Sequence, residues 1–164
     1  MAEIQNLCLM HGKTLVTYIS MGFGNPYGEE FNEEIVLGFI QQLNELQISI
    51  ISLSDTIGVA DLQVIKDVFE NSITAYPTIE FGAHFHSTAQ KTREKIESAL
   101  KAGCLRFDSA IKGFGGCPMA KDDLTGNIAT EKLLAILEEH DQAPDYKREE
   151  FEKAMIKSLE VFPS

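Results

Sequence analysis

Four short runs rich in β-branched and aromatic residues, each followed by a helical pattern, predict an α/β chain of parallel strands joined by crossover helices. The runs are 14–20 (TLVTYIS), 48–53 (ISIISL), 78–84 (TIEFGAH) and 104–109 (CLRFDS). Each is too short to be a buried helix. They begin about 30 residues apart, the length that a strand, a crossover helix and two loops require. Polar residues also cluster just after each run, at the strand ends where a barrel gathers its chemistry.

The elements follow in order along the chain. Residues 2–11 read as a helix with Ile4, Leu7 and Cys8 on one side, and the pattern starts at Met1 with no room for a cap or an earlier strand. After the first strand, Phe31, Ile35, Phe39, Gln42 and Leu46 recur at helical spacing. After the second come Leu62, Ile65, Val68 and Phe69, with Asp61 as the N-cap. A third helix spans about 88–102, carrying Thr92, Ile96, Ala99 and Leu100, and Gly103 supplies its stop. Thr130 is the expected N-cap of a helix bearing Leu133, Leu134 and Leu137. The tail, 146–161, reads as a charged amphipathic helix with Phe151, Met155 and Leu159 on its apolar side.

We therefore expect a single domain over 1–164: a leading helix at 1–12, four strand–helix units over 13–128, and C-terminal helices over 129–164. An open doubly wound sheet and part of a closed barrel both accept this pattern. The open sheet expects a GxGxxG loop after an early strand, and the chain has none. The polar strand ends favour the barrel.

Composition excludes several classes. A net charge of −11 argues against a broad nucleic-acid surface, which clusters Lys and Arg. No apolar run approaches the roughly 20 residues of a membrane span, and the opening MAEIQNLCLM lacks the basic segment of a secretory signal. The three cysteines, Cys8, Cys104 and Cys117, are odd in number and without CxxC spacing, so a reducing, cytoplasmic location is expected.

Four motifs can carry chemistry. In His84-Phe85-His86 the two imidazoles sit at i and i+2 of a strand, so they share a face and can bind one divalent metal. Taken alone, such a pair is equally a polar strand cap. The loop Gly113-Phe114-Gly115-Gly116-Cys117-Pro118 presents a thiol able to act as nucleophile or proton donor, or is a flexible turn with an incidental cysteine. In Gly126-Asn127-Ile128-Ala129-Thr130-Glu131, Asn127 offers an amide oxygen to an oxygen-preferring metal, or serves a helix-entry turn. Asp55, in Ser54-Asp55-Thr56-Ile57-Gly58, binds substrate, orients a base, or merely shapes a turn. Each signal is weak alone, but on successive strand ends of a barrel they converge.

Read together, SLSDTIGVA (52–60), AHFHSTAQ (83–90), GFGGCPMA (113–120) and GNIATEKL (126–133) resemble the motif series of hydroxymethylglutaryl-CoA lyases. TYISMGFGNPYGE (17–29) resembles that family's preceding strand and loop, with Asn25 where cysteine is usual. The resemblance implies the last four βα units of a (β/α)8 TIM barrel, dependent on Mg²⁺ or Mn²⁺. It implies cleavage of 3-hydroxy-3-methylglutaryl-CoA to acetyl-CoA and acetoacetate, the chemistry of leucine degradation and ketone-body formation. By the same resemblance His84, His86 and Asn127 fall on metal-ligand positions, Cys117 on the catalytic loop cysteine, Asp55 on an acidic site residue and Glu131 on a nearby acidic position; His84 also assists proton transfer.

The chain departs from the pattern at Ser87, Lys112 and Met119. The Asp ligand and adjacent Arg of the family's first strand have no counterpart. A four-stranded half is expected to leave two open edges and an exposed apolar face, which invite self-association or an N-terminal half-barrel on another chain. Related Claisen synthases (isopropylmalate or homocitrate synthase-like) share the HxH strand but not the longer cysteine loop. A catalytically silent half-barrel that assembles with a partner is the remaining alternative.

Overall fold

A computed structural model describes residues 1–116 and 125–162 of the chain. Strands β1 (Val16–Ile19), β2 (Ile50–Asp55), β3 (Glu80–Ser87) and β4 (Arg106–Phe107) form a parallel sheet in sequence order. Helices α2 (Glu33–Glu45), α3 (Leu62–Ala75) and α4 (Thr92–Lys101) are the crossovers, preceded by α1 (Ala2–Met10). Beyond a short 3-10 turn at Ile111–Gly113 come α5 (Thr130–Glu139) and α6 (Arg148–Val161). One strand was not foreseen. Gly126–Asn127, β5, pairs antiparallel with the end of β3, setting Asn127 opposite His86.

Strand alternation divides the sheet. Ile51, Leu53, Phe81, Ala83 and Phe85 join Val36, Ile40, Ile65, Val68, Phe69 and Ile96 from the helices in one buried cluster. Phe23, Phe69 and Phe85 form a mutual aromatic set with centroids 5.6–6.4 Å apart. Such pairs add about 0.5–1.5 kcal/mol beyond their area burial. Asp61 caps α3 as expected, accepting from the Gln63 N–H at 2.8 Å. Gly103, at φ +93°, ends the turn after α4.

Several expectations are corrected. The inward row of α2 is Val36, Ile40 and Leu43, while Ile35 and Phe39 are 40% and 50% exposed. Two apolar rows lie side by side on this helix, and packing on the sheet selects one. In α1 the buried residue is Gln5, whose Nε2 donates to the Gln47 carbonyl at 3.0 Å, and Ile4 and Leu7 face outward. Thr130 is the first residue of α5 rather than its cap, and its hydroxyl pairs with Ser109 at 2.9 Å. Leu62 and Leu159 are exposed. Most consequentially, the sheet face opposite α2, α3 and α4 is not apolar.

Candidate active site

That second face follows from period-two alternation and register. Tyr18 pairs across to Ser52, Ser52 to Gly82 and Gly82 to Arg106, and one step nearer the strand ends Ser54 pairs with His84. His86 lies two residues beyond His84, and Asp108 two beyond Arg106. Gly82 is required at its place: a Cβ there would meet Arg106 Cδ and Ser52 Oγ, both at 2.9 Å.

At the C-terminal ends of the strands these side chains form a connected group. The His84 and His86 rings are 5.4 Å apart. His84 Nδ1 lies 3.4 Å from Asp108 Oδ2, and the Tyr18 hydroxyl donates to the same oxygen at 2.8 Å. His84 and Tyr18 hold the Asp108 carboxyl below the usual carboxylate range, with His84 the larger cause. The same bond to Asp108, with burial, pushes the Tyr18 phenol up. Burial, and then the neighbouring His84, push the His86 imidazole down, favouring its neutral form.

Asn127 reaches this group from β5. Its Nδ2 donates to the carbonyls of Phe114 and Gly115, at 2.9 and 3.2 Å, which turns its amide oxygen away from those carbonyls. Gly115, at φ +91°, permits the approach, because a Cβ would come within 2.9 Å of that nitrogen. Glu131 holds the entrance to the glycine loop: its Oε2 accepts the N–H of Lys112, a residue in the left-handed region at φ 58°. Cys117 lies outside the described residues.

The structure gives Asp55 a post behind the site. Its Oδ1 accepts the Val59 N–H at 2.9 Å, and Oδ2 accepts the Ala60 N–H at 3.0 Å and Lys95 Nζ at 2.5 Å. Both Asp55 and Lys95 are 1% exposed. With both oxygens occupied, Asp55 anchors the β2–α3 turn. Lys95 also donates to the His86 carbonyl at 3.3 Å, tying the pair to the end of β3.

Sequence reasoning missed Tyr18, Arg106, Asp108 and Lys95. The first three carried a usable signal, since the i, i+2 rule that joins the histidines also puts Asp108 on the face of Arg106. Lys95 carried none; on a charged helix it reads as a solvated position.

The fit to a divalent ion rests on an orphaned atom. His86 Nδ1 is buried without a hydrogen-bond partner among the described residues, and a buried imidazole nitrogen of this kind wants a ligand. His84, His86 and Asn127 supply two imidazoles and an amide, a partial but chemically suitable set. Among the described residues no three His, Cys, Asp or Glu side chains gather as a complete metal site. A groove of about 490 Å³ between α5 and α6, lined by Leu134, Phe151 and Met155 among others, is separate from the histidines.

Comparison with known proteins agrees with this architecture. The HMGL-like family model matches residues 11–156. The Bacillus subtilis hydroxymethylglutaryl-CoA lyase YngG is 33% identical over 147 residues, covering 90% of this chain and 49% of that protein. A crystal structure of the B. subtilis HMG-CoA lyase superposes with a TM-score of 0.88 at 32% identity, covering 99% of this chain and 56% of the other. An A. baumannii HMG-CoA lyase in complex with coenzyme A and 3-methylmalate gives a TM-score of 0.74 at 28% identity, over 86% of this chain and 46% of that one. The parallel sheet is thus part of a TIM barrel. The chain spans about half the length of the curated relatives it matches.

Proposed function

Because the chain belongs to the HMGL-like family, we propose that it carries the metal-binding half of a lyase site that cleaves 3-hydroxy-3-methylglutaryl-CoA to acetyl-CoA and acetoacetate. The observation that carries this reading is the His84–His86 pair on the inner face, with Asn127 paired against His86 by β5. In this reading His84, His86 and Asn127 hold Mg²⁺ or Mn²⁺. The ion, when bound, supplies positive charge that orients the substrate's oxygens and eases loss of the tertiary hydroxyl proton.

The chain's own groups then handle protons. His84 takes the hydroxyl proton on the nitrogen it otherwise offers to the ion, serving as ligand and base in turn and never at once, as the C–O bond becomes the ketone of acetoacetate. The electron pair of the broken C–C bond stays with the acetyl-CoA fragment as an enolate. Cys117 returns a proton to that carbon. Glu131, through Lys112, keeps the loop that carries Cys117 in register with the site. Asp55 acts only through the β2–α3 turn and Lys95. The unpaired thiols of Cys8 and Cys104 suit a reducing compartment such as the cytoplasm, and no helix among the described residues is long and apolar enough to cross a membrane.

Completion of the barrel belongs to the same proposal. Strands from a second copy, or from a separate N-terminal half, cover the outer edges of β1 and β4, and of the two only the separate half brings the remaining Asp ligand.

The test is acetoacetate release from 3-hydroxy-3-methylglutaryl-CoA by the full chain, with Mg²⁺ or Mn²⁺ and with chelator. Metal-dependent release that His86→Ala abolishes supports the reading. No release together with no Mn²⁺ binding overturns it, and condensation of acetyl-CoA with a 2-oxo acid would assign synthase chemistry instead.

A further inference from the structure

Three side chains on the inner face make a chain of contacts that the sequence motifs do not contain. Tyr18 comes from β1, His84 from β3, and Asp108 from just beyond β4. The Tyr18 hydroxyl donates to Asp108 Oδ2 at 2.8 Å across 90 positions of sequence, and that oxygen lies 3.4 Å from His84 Nδ1. The Tyr18 ring meets the His84 ring edge-on, with centroids 5.6 Å apart and planes at 89°.

A neutral imidazole has one proton and two nitrogens to carry it. An ionised carboxylate can only accept, so the nitrogen facing it is the one that bears the proton. The other nitrogen keeps its lone pair for a metal or for an incoming proton. Tyr18 adds two constraints. Its proton is directed at Asp108, which limits rotation of the carboxylate, and its ring flanks the imidazole and opposes a flip.

We propose that Asp108 is a positioning residue that fixes His84 in its Nδ1–H tautomer, with Tyr18 orienting Asp108. The lyase reading enters only in the use made of the free Nε2; the tautomer is a property of the metal-free chain. Asp108 itself is not offered as a ligand, because its Oδ2 is shared between Tyr18 and His84.

The test uses the full metal-free chain with ¹⁵N-labelled histidines at about pH 8.5, well above the ordinary histidine pKa of about 6.5. Long-range ¹H–¹⁵N correlation spectra report the tautomer of each ring. Wild-type His84 is expected as Nδ1–H. In Asp108→Ala it shifts to Nε2–H, the form that predominates for an imidazole free in water, and Asp108→Glu restores Nδ1–H. Mn²⁺ affinity, read by electron paramagnetic resonance, falls by about 10–100-fold in Asp108→Ala.

A wild-type His84 protonated on Nε2 overturns the proposal, and so does a folded Asp108→Ala that keeps Nδ1–H. If Asp108→Ala fails to fold, the wild-type spectrum alone decides. A chain that makes no acetoacetate and binds no Mn²⁺ but shows the tautomer shift loses the lyase reading and keeps the tautomer assignment.

Discussion

The two faces of the sheet are built from the same strands and do opposite work. On the face covered by α2, α3 and α4, Leu53, Phe81 and Phe85 pack into the core, and even the charged residues are matched, Asp55 with Lys95. On the other face, Ser54 Oγ, His86 Nδ1 and Arg106 Nε are buried without hydrogen-bond partners among the described residues. Buried polar groups are normally satisfied. The helix-covered face also keeps hydroxyls unpaired among the described residues, at Thr17 and Ser72. The faces therefore differ in their titratable groups: Asp55 and Lys95 are paired, and the His86 imidazole nitrogen is left for a ligand.

This contrast can be broken or sharpened by substitution. The largest effect is expected at the buried ion pair. Lys95→Met leaves the Asp55 charge unpaired in the core and should cost about 3–5 kcal/mol, lowering the melting temperature by on the order of 10 °C. Urea unfolding measures it, and adding Asp55→Asn should recover part of the loss; a drop below 1 kcal/mol would show that the pair is not sealed as drawn. Phe85→Ala, on the same face, should cost about 3–5 kcal/mol by removing the centre of the aromatic set.

The inner face should respond differently. His86→Ala is expected to remove detectable Mn²⁺ binding by electron paramagnetic resonance while shifting the urea midpoint far less than Phe85→Ala. Equal losses of stability would abolish the distinction between the faces. Ser54→Ala should leave stability unchanged or slightly raised, because it deletes an unsatisfied hydroxyl.

Thiol reactivity gives the smallest effect. Cys104 is buried, and burial pushes its thiol up to about 12. A folded-state pKa above the unfolded value means stability is fully present below about pH 8.5 and declines as pH rises through the window up to about 12. At pH 8, peptide mapping after brief alkylation should find Cys8 labelled and Cys104 protected until urea unfolds the chain.

Much of this was legible in the sequence. The strand–helix alternation, the Asp61 cap and the HxH pair all depend on short-range periodicity and local hydrogen bonds, which a linear sequence displays directly. The motif series of residues 52–60, 83–90, 113–120 and 126–133 also pointed to the family before any packing was known, the GxGGCP loop followed by Gly126-Asn127 most specifically. What failed were choices between equivalent local patterns. Residues 33–45 offer two apolar rows, and only docking on the sheet selects Val36, Ile40 and Leu43 over Ile35 and Phe39.

By itself, then, the sequence determined the order of strands and helices and put His84 and His86 at a strand end and Asn127 at a helix entry. Only the tertiary structure decided that the face left open is polar, that Asp55 is locked against Lys95, and that Tyr18 and Asp108 stand beside His84. The reason is physical. Periodicity tells which residues share a face, but parallel register between strands tens of residues apart decides which face meets which partner, and burial decides whether a charge is spent on structure or left for chemistry.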